Sequence, residues 1–327
     1  MHWRIKGIVQ KLLGVHPAGA TLHYRLQRRF GGLTDFSREL AIKVDDWTIM
    51  VGHLRAADRP IDGARMFEIG TGWYPTFPIA CYLAGASRVT TYDLNRHLQP
   101  HLMHRCVAEL GGFLDTVAEA SGAALAEVRE RHARLQGMLA GGAELEPASE
   151  GVIRCVAPAD ATCSEFADGE VDVVFSNSVL EHVPPDVIVA MYRESVRVLA
   201  PGGLMFHSVN CGDHYAYVDR RLSQLNYLRY SDRAWRFWNN AFLYQNRVRA
   251  HEFVDAAAAA GFEIILDTST PRPQRLQELS RIPIHPQFSH VPAEKLCITS
   301  IDFIGRAVSA APARPDRPIH HDVAEPA

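Results

Sequence analysis

The stretch "MFEIGTGWYPTFPIA", Met66 to Ala80, decides the fold. Met66, Phe67 and Ile69 make a short apolar run of the kind that suits a buried strand, and it stops at Gly70-Thr71-Gly72. Two glycines at a strand end let backbone amides approach a ligand without side-chain obstruction. A helix starting near Pro75 would aim its N-terminus at the same place. The next apolar run closes at Asp93, 21 residues after Gly72, where a doubly wound sheet presents a carboxylate to ribose hydroxyls. A dinucleotide fingerprint starting at Gly70 would need glycine at position 75, and Pro75 stands there, which removes most of the support for NAD.

Outward from this turn, "RMFEIG", "RVTTYD", "GVIRCVA", "VDVVFSN" and "GGLMFHSVN" each read as a buried strand separated by helical segments, the pattern of βαβ units and a parallel sheet. "FEIILDTS" and "LCITSIDFIG" extend that sheet, and the proline-rich connection between them reads as loop with a short helix. Residues 1–60 read as an N-terminal helical cap, with Ile5, Ile8, Val9, Leu12 and Leu13, then Leu22, Leu26 and Phe30, at helical spacing. Arg4, Lys6, Lys11, Arg25, Arg28 and Arg29 also make that cap a candidate foot for peripheral contact with an anionic membrane. The main domain runs over 61–310. It carries a helical insertion at about 97–150, either a solvated helix pair or a lid over the ligand edge, and an aromatic-rich helical segment at about 213–250. Residues 311–327 have no apolar periodicity and read as a disordered tail.

Composition narrows the function. An apolar share of 47% in 327 residues suits a globular enzyme, while a formal charge of -3 and a pI near 6.6 disfavour a nucleic-acid partner. The six cysteines form no CxxC pair and read as reduced thiols of a cytoplasmic protein. Lys6, Gln10 and Lys11 interrupt the N-terminal apolar run before it has signal-peptide character, and no segment nears the ~20 apolar residues a membrane span needs. No carboxylate and histidine cluster has metal-ligand spacing, so no metal is expected, and no signal sets an oligomeric state.

"FEIGTG", "TTYDLN", "APADAT", "VDVVFSNSVLEHVP" and "VLAPGGLMFHSVN" fall in the order of the motifs of class I S-adenosylmethionine-dependent methyltransferases. The chain resembles their LEHV-bearing branch from about Arg65 to Asn210, with "EFVDAAAAAGFEIIL" as a continuation. The resemblance implies an α/β, Rossmann-like doubly wound seven-stranded sheet of five parallel strands plus a C-terminal antiparallel pair, with N-terminal helices and helical insertions. It also implies S-adenosyl-L-methionine as cofactor. Glu68, Gly70, Thr71 and Gly72 would surround its methionine part, and Asp93, followed by Leu94, would take the ribose. Ala159, Asp160 and Ala161 would meet the adenine, and Asn177 and Ser178 would line the transferable methyl. Tyr74 departs from the acid-x-Gly-x-Gly-x-Gly pattern, and it either turns away from the ligand or closes over it.

Methyl transfer asks the protein mainly to orient and desolvate a nucleophile, and a hydroxyl nucleophile also needs a base. After the fifth strand stand His207, Asn210, Asp213 and His214; His214 with Asp213, or His182, is the candidate base, whereas His207 reads as core. Glu181 and His182 precede Pro184 and Pro185, so a capping role competes with acceptor contact. Nine aromatic residues lie between 215 and 244 in a chain that is 9% aromatic. They either fill a subdomain core or, with Arg220, Arg229, Arg233 and Arg236, face a sugar or a phosphate. The expected reaction is methylation of oxygen or nitrogen on a small molecule or glycan. The competing readings are an NAD or nucleotide-sugar oxidoreductase and a catalytically silent cofactor-binding module.

Overall fold

The computed structural model describes residues 2–14, 22, 35–240 and 244–308. In chain order these form α1 (Trp3–Gly14), α2 (Phe36–Ala56), β1 (Arg65–Ile69), α3 (Thr76–Leu83), β2 (Arg88–Tyr92), α4 (Pro100–Leu110), α5 (Leu114–Ser121), α6 (Leu125–Ala140) and α7 (Leu145–Ala148). There follow β3 (Ile153–Val156), β4 (Val171–Asn177), α8 (Pro185–Val198), β5 (Leu199–Val209), α9 (Asp232–Trp238), α10 (Ala250–Ala260), β6 (Phe262–Asp267), α11 (Pro273–Leu279), α12 (Ala293–Leu296) and β7 (Ile301–Ala307). The seven strands lie in the order β3-β2-β1-β4-β5-β7-β6, with β1 to β5 parallel and β7 antiparallel to both of its neighbours. Chain order reverses beside β1, whose neighbours are β2 and β4. The connections that leave there diverge and open a crevice at the carboxyl ends of the strands.

Strand alternation builds a core on each face. Met66, Val89, Val173 and Phe175 face α2, α3 and the 100–148 helices, while Phe67, Tyr92, Val174 and Met205 face α8 and α10. In α2 the spacing of Leu40, Val44, Trp47, Val51 and Leu54 lays one fully buried stripe on the sheet, and each such side chain contributes roughly 1.5–3 kcal/mol. Asp35 caps that helix, Oδ1 accepting from the Arg38 amide at 3.2 Å. The second half of the region expected to form a cap is therefore a layer of the sheet domain. The 97–150 helices likewise bury Leu102, Val107, Val117, Val128 and Leu135 in the same face layer.

A third core lies under the aromatic segment, where Tyr215, Leu225, Tyr227, Leu228 and Trp235 meet Leu279, Phe288 and Leu296. Trp3 of α1 joins it, with ring centroids 5.1 Å from Tyr215 and 4.6 Å from Trp238. On its outer side α1 shows Ile5, Ile8, Val9 and Leu12 to solvent. Among the described residues of the segment expected to be helical, Asp232–Trp238 forms an α-helix and Ala250 opens α10; two short 3-10 turns, His214–Tyr217 and Asn226–Arg229, lie among otherwise irregular chain. Leu26, Phe30, Arg25, Arg28, Arg29, Phe242 and the expected tail lie outside the described residues. Among the described residues no helix is long and apolar enough to cross a membrane.

Candidate functional site

The glycine turn holds itself in shape. Gly70 has φ +94 and donates to the Tyr92 carbonyl at 2.7 Å, and a Cβ added there would stand 2.5 Å from Cγ2 of Val179. No other residue type fits both the angle and the approach. Gly72, at φ +68, has open space where a side chain would be, and its amide donates to Asp93 Oδ2 at 2.9 Å. The Asn95 amide takes Oδ1 at 2.9 Å, so the carboxylate is fixed while each oxygen keeps a lone pair for a further donor. That half-buried carboxylate beside open ground fits a ribose diol.

Behind the turn, Thr91 donates to Glu68 Oε2 at 2.6 Å and pairs with the Thr71 hydroxyl at 2.5 Å. Thr91 has one proton and gives it to Glu68, so Thr71 is the donor to Thr91. Burial pushes the Glu68 carboxyl up to about 7, against the Thr91 hydrogen bond and the charge of Lys43. The Ala159 amide donates to the Asp93 carbonyl at 2.9 Å, which sets the loop holding Ala159, Asp160 and Ala161 against the same corner. Asp160 is exposed and spends Oδ1 on the Thr162 amide and hydroxyl, at 2.8 and 2.7 Å. Leu94 is 65% exposed beside Asp93.

Tyr74 turns inward. It is 3% exposed, lies against Phe36 with centroids 4.6 Å apart, and carries Lys43 Nζ 4.4 Å above its ring. Trp73 lies beside His97 at 5.0 Å. Two polar side chains that the sequence reading did not single out reach the site from α2: Lys43 beside Glu68, and Asp46, whose Oδ2 accepts from Asn177 Nδ2 at 3.1 Å. They are three residues apart, hence on one helix face, and that polar pair beside a buried stripe is the signal that marks them. Burial lowers Lys43 and raises Asp46. Ser178 follows Asn177 at φ 55, its amide held by the Ser208 carbonyl at 2.9 Å, a left-handed conformation that costs a serine about 1 kcal/mol.

Beyond Ser178 the chain makes the 3-10 turn Leu180–His182 and then α8, opened by Pro184 and Pro185. Parallel pairing of β4 with β5, Asn177 opposite Ser208, sets this turn beside the segment that leaves β5. Glu181, His182 and His214 therefore converge, with one ligand atom from each within 4.8 Å of the others. No sequence spacing announces this group, because it depends on strand pairing. Glu181 Oε1 and His214 Nε2 stand 4.0 Å apart, and the imidazoles of His182 and His214 meet edge to face at 4.9 Å. Burial pushes Glu181 up to about 8, and burial with neighbouring His182 and Lys6 pushes His214 down to about 3.

Asp213 does not orient His214, contrary to expectation. It is fully buried, with Oδ1 taken by the Tyr215 amide at 2.8 Å and Oδ2 by Asn226 at 2.8 Å. Glu181 faces His214 in its place. His207 is core, bonded to Ser176 Oγ at 2.6 Å between Tyr192 and Phe303. The aromatic segment is held from beneath by buried Arg249, which donates to the Cys211, Leu296 and Ile298 carbonyls and to the Tyr227 hydroxyl.

Residues 48–266, more than half of the chain, match the protein family described as "Methyltransferase domain". A comparison with curated protein sequences finds no match. Among solved structures the chain is similar to an S-adenosylmethionine-dependent methyltransferase from Mesorhizobium loti, at TM-score 0.43 and 16% identity over 78% of this chain and 95% of that one. It is also similar to geranyl diphosphate C-methyltransferase from Streptomyces coelicolor A3(2), at TM-score 0.43 and 15% identity over 76% and 72%. A third likeness is to an S-adenosylmethionine-dependent methyltransferase from Methanosarcina mazei, at TM-score 0.41 and 13% identity over 76% and 93%. These likenesses are distant and do not bear on the acceptor of this chain.

Proposed function

We propose, from the premise that this chain belongs to the methyltransferase-domain family, that it methylates an oxygen or nitrogen nucleophile of a small molecule or glycan seated at the Glu181, His182 and His214 cluster. The methyl donor is S-adenosylmethionine, which supplies when bound a methyl group on a sulfonium with a neutral thioether as leaving group. Gly70, Gly72 and Asp93 would hold it, backed by Glu68, Thr71 and Thr91, with Asn177 toward the methyl. One observation carries the acceptor assignment: Val179 is the side chain against Gly70, and the two residues after Leu180 belong to the cluster. Donor turn and polar cluster are thus a few residues apart at one strand edge, and orientation between such groups contributes ~7–11 kcal/mol to a displacement.

As a free base His214 is weak, because burial holds it far below neutral pH. Proximity and desolvation then carry most of the rate. Beside the cluster, Tyr217 takes a hydrogen bond from Asn210 at 2.5 Å and borders an open depression of about 440 Å³ with Arg220, Arg221 and Arg275. Among the described residues lining it, Arg221 is paired with Asp219 and Arg275 with Glu278, which leaves Arg220 as the cation for an acceptor that also bears a phosphate or carboxylate. A reducing cytoplasm suits the free thiols, four of the six of them buried.

The test is transfer of a labelled methyl group from S-adenosylmethionine to a panel of hydroxylated, amino and phosphorylated small molecules and sugars. Wild type is expected to label at least one acceptor class, and Glu181→Gln and His214→Ala to lose that labelling. Tight donor binding without transfer to any class would favour a silent cofactor-binding module.

A further inference from the structure

We propose that Glu181, His182 and His214 together bind a divalent transition-metal ion, of which Zn2+ is the reference, on the acceptor side of the crevice; this role builds on the reading that the acceptor sits at this cluster. The grounds are geometric. Two donor atoms each about 2.0–2.2 Å from one ion stand roughly 3.3–4.3 Å apart, depending on the angle between them. Glu181 Oε1 and His214 Nε2 are separated by 4.0 Å, too far for a hydrogen bond and within that range. All three ligand atoms lie within 4.8 Å of one another, so side-chain movements of up to about an ångström close the set.

The second ground is what these atoms lack. The Glu181 side chain is 2% exposed, and neither carboxylate oxygen has a hydrogen-bond partner. The amides of Glu181 and Asn210 face the carboxylate without closing a hydrogen bond. His214 Nε2 is buried and unpartnered as well. Two orphaned buried ligand atoms aimed at one another are costly unless a third party sits between them. A proton would suit one of them, and a cation suits both.

The third ground is the tautomer of His182. Its Nδ1 lies 2.7 Å from the Tyr244 carbonyl, an acceptor only, so Nδ1 carries the proton and Nε2 keeps a lone pair. That is how a ligating imidazole is oriented by a backbone carbonyl. Lys6 of α1 is the cationic neighbour that works against an ion here. Two imidazole nitrogens and one carboxylate select Zn2+, Co2+, Fe2+ or Mn2+ over the oxygen-seeking Mg2+ and Ca2+. Three protein ligands leave coordination positions open, and the exposure of His182 puts them toward solvent and acceptor. An acceptor hydroxyl on the ion would lose its proton to water more readily, which answers the lack of a base near neutral pH.

The experiment uses the full chain, stripped with a chelator and titrated with Zn2+ by calorimetry and with Co2+ by visible absorption. S-adenosylmethionine affinity is measured on the same samples as the check of folding. Wild type is expected to bind one Zn2+ tightly and to develop Co2+ d–d bands. Glu181→Gln and His214→Ala are each expected to weaken Zn2+ at least 100-fold and to abolish the bands while donor affinity is unchanged. No saturable site in wild type, or the same affinity and spectrum in both variants, overturns the proposal; binding to surface histidines gives that second result. Loss of methyl transfer in both variants of a chain that binds no ion would retain the acceptor site and discard the metal.

Discussion

The two corners of the crevice treat their polar groups in opposite ways. In the donor corner the groups are already paired: Asp93 with the Gly72 and Asn95 amides, Glu68 with Thr91, and Thr91 with Thr71. In the acceptor corner Glu181 and His214 are buried with ligand atoms unpaired. A corner that satisfies itself is preorganised, so its ligand meets a formed surface and little free energy goes into ordering it. An unsatisfied corner is a reservoir of instability that a bound group relieves.

This contrast can be broken at either end. The largest effect is expected at the acceptor corner, where Glu181→Gln should lower turnover by about 10²–10⁴, roughly 3–5 kcal/mol of barrier, with donor affinity unchanged. Steady-state turnover beside donor calorimetry checks it, and equal losses in both would erase the division between the corners. Next comes Asp93→Ala, expected to weaken S-adenosylmethionine about 100-fold, ~2.7 kcal/mol, because the ribose acceptor and the anchor of Gly72 go together. Gly70→Ala is expected to cost about 2 kcal/mol in urea denaturation, since it must hold φ +94 and push on Val179. It also sharpens the comparison, because displacing Val179 moves the turn that carries Glu181.

The smallest effect is the pH dependence of Glu68. Its folded pKa, about 7, lies above its ordinary value of 4.5, so the stability it contributes is full below about 4.5 and lost as pH rises through 7. Glu68→Gln removes that dependence. The variant should therefore gain on wild type by on the order of 2 kcal/mol between pH 5 and pH 8, the Thr91 bond being already part of the shifted pKa. Urea midpoints at the two pH values measure it.

The donor corner was legible in sequence because its determinants are local: two glycines, an acidic residue at each of two strand ends, and apolar runs with period and length suited to buried strands. The seven-stranded sheet, five parallel strands and a C-terminal antiparallel pair, followed from the same runs together with the family resemblance. The acceptor corner was half legible. Histidines 182 and 214 stood out, yet the carboxylate that faces His214 is Glu181, which enters through the register of β4 with β5. Asp213, the sequence neighbour, is consumed by its own turn and by Asn226. Lys43 and Asp46 stand as a polar pair beside an apolar stripe, but a helix written before the first strand does not say which sheet edge that pair will reach, so they were not singled out. The aromatic run named a core without naming its partners, since Trp3 joins it from the far end of the chain.

The most direct test is calorimetry with S-adenosylmethionine, S-adenosylhomocysteine and NAD on wild type, Asp93→Ala and Glu181→Gln in parallel. The account predicts that wild type and Glu181→Gln bind the first two ligands equally well, that Asp93→Ala loses both, and that no form binds NAD. Undiminished binding by Asp93→Ala, or loss of binding in Glu181→Gln, would contradict it.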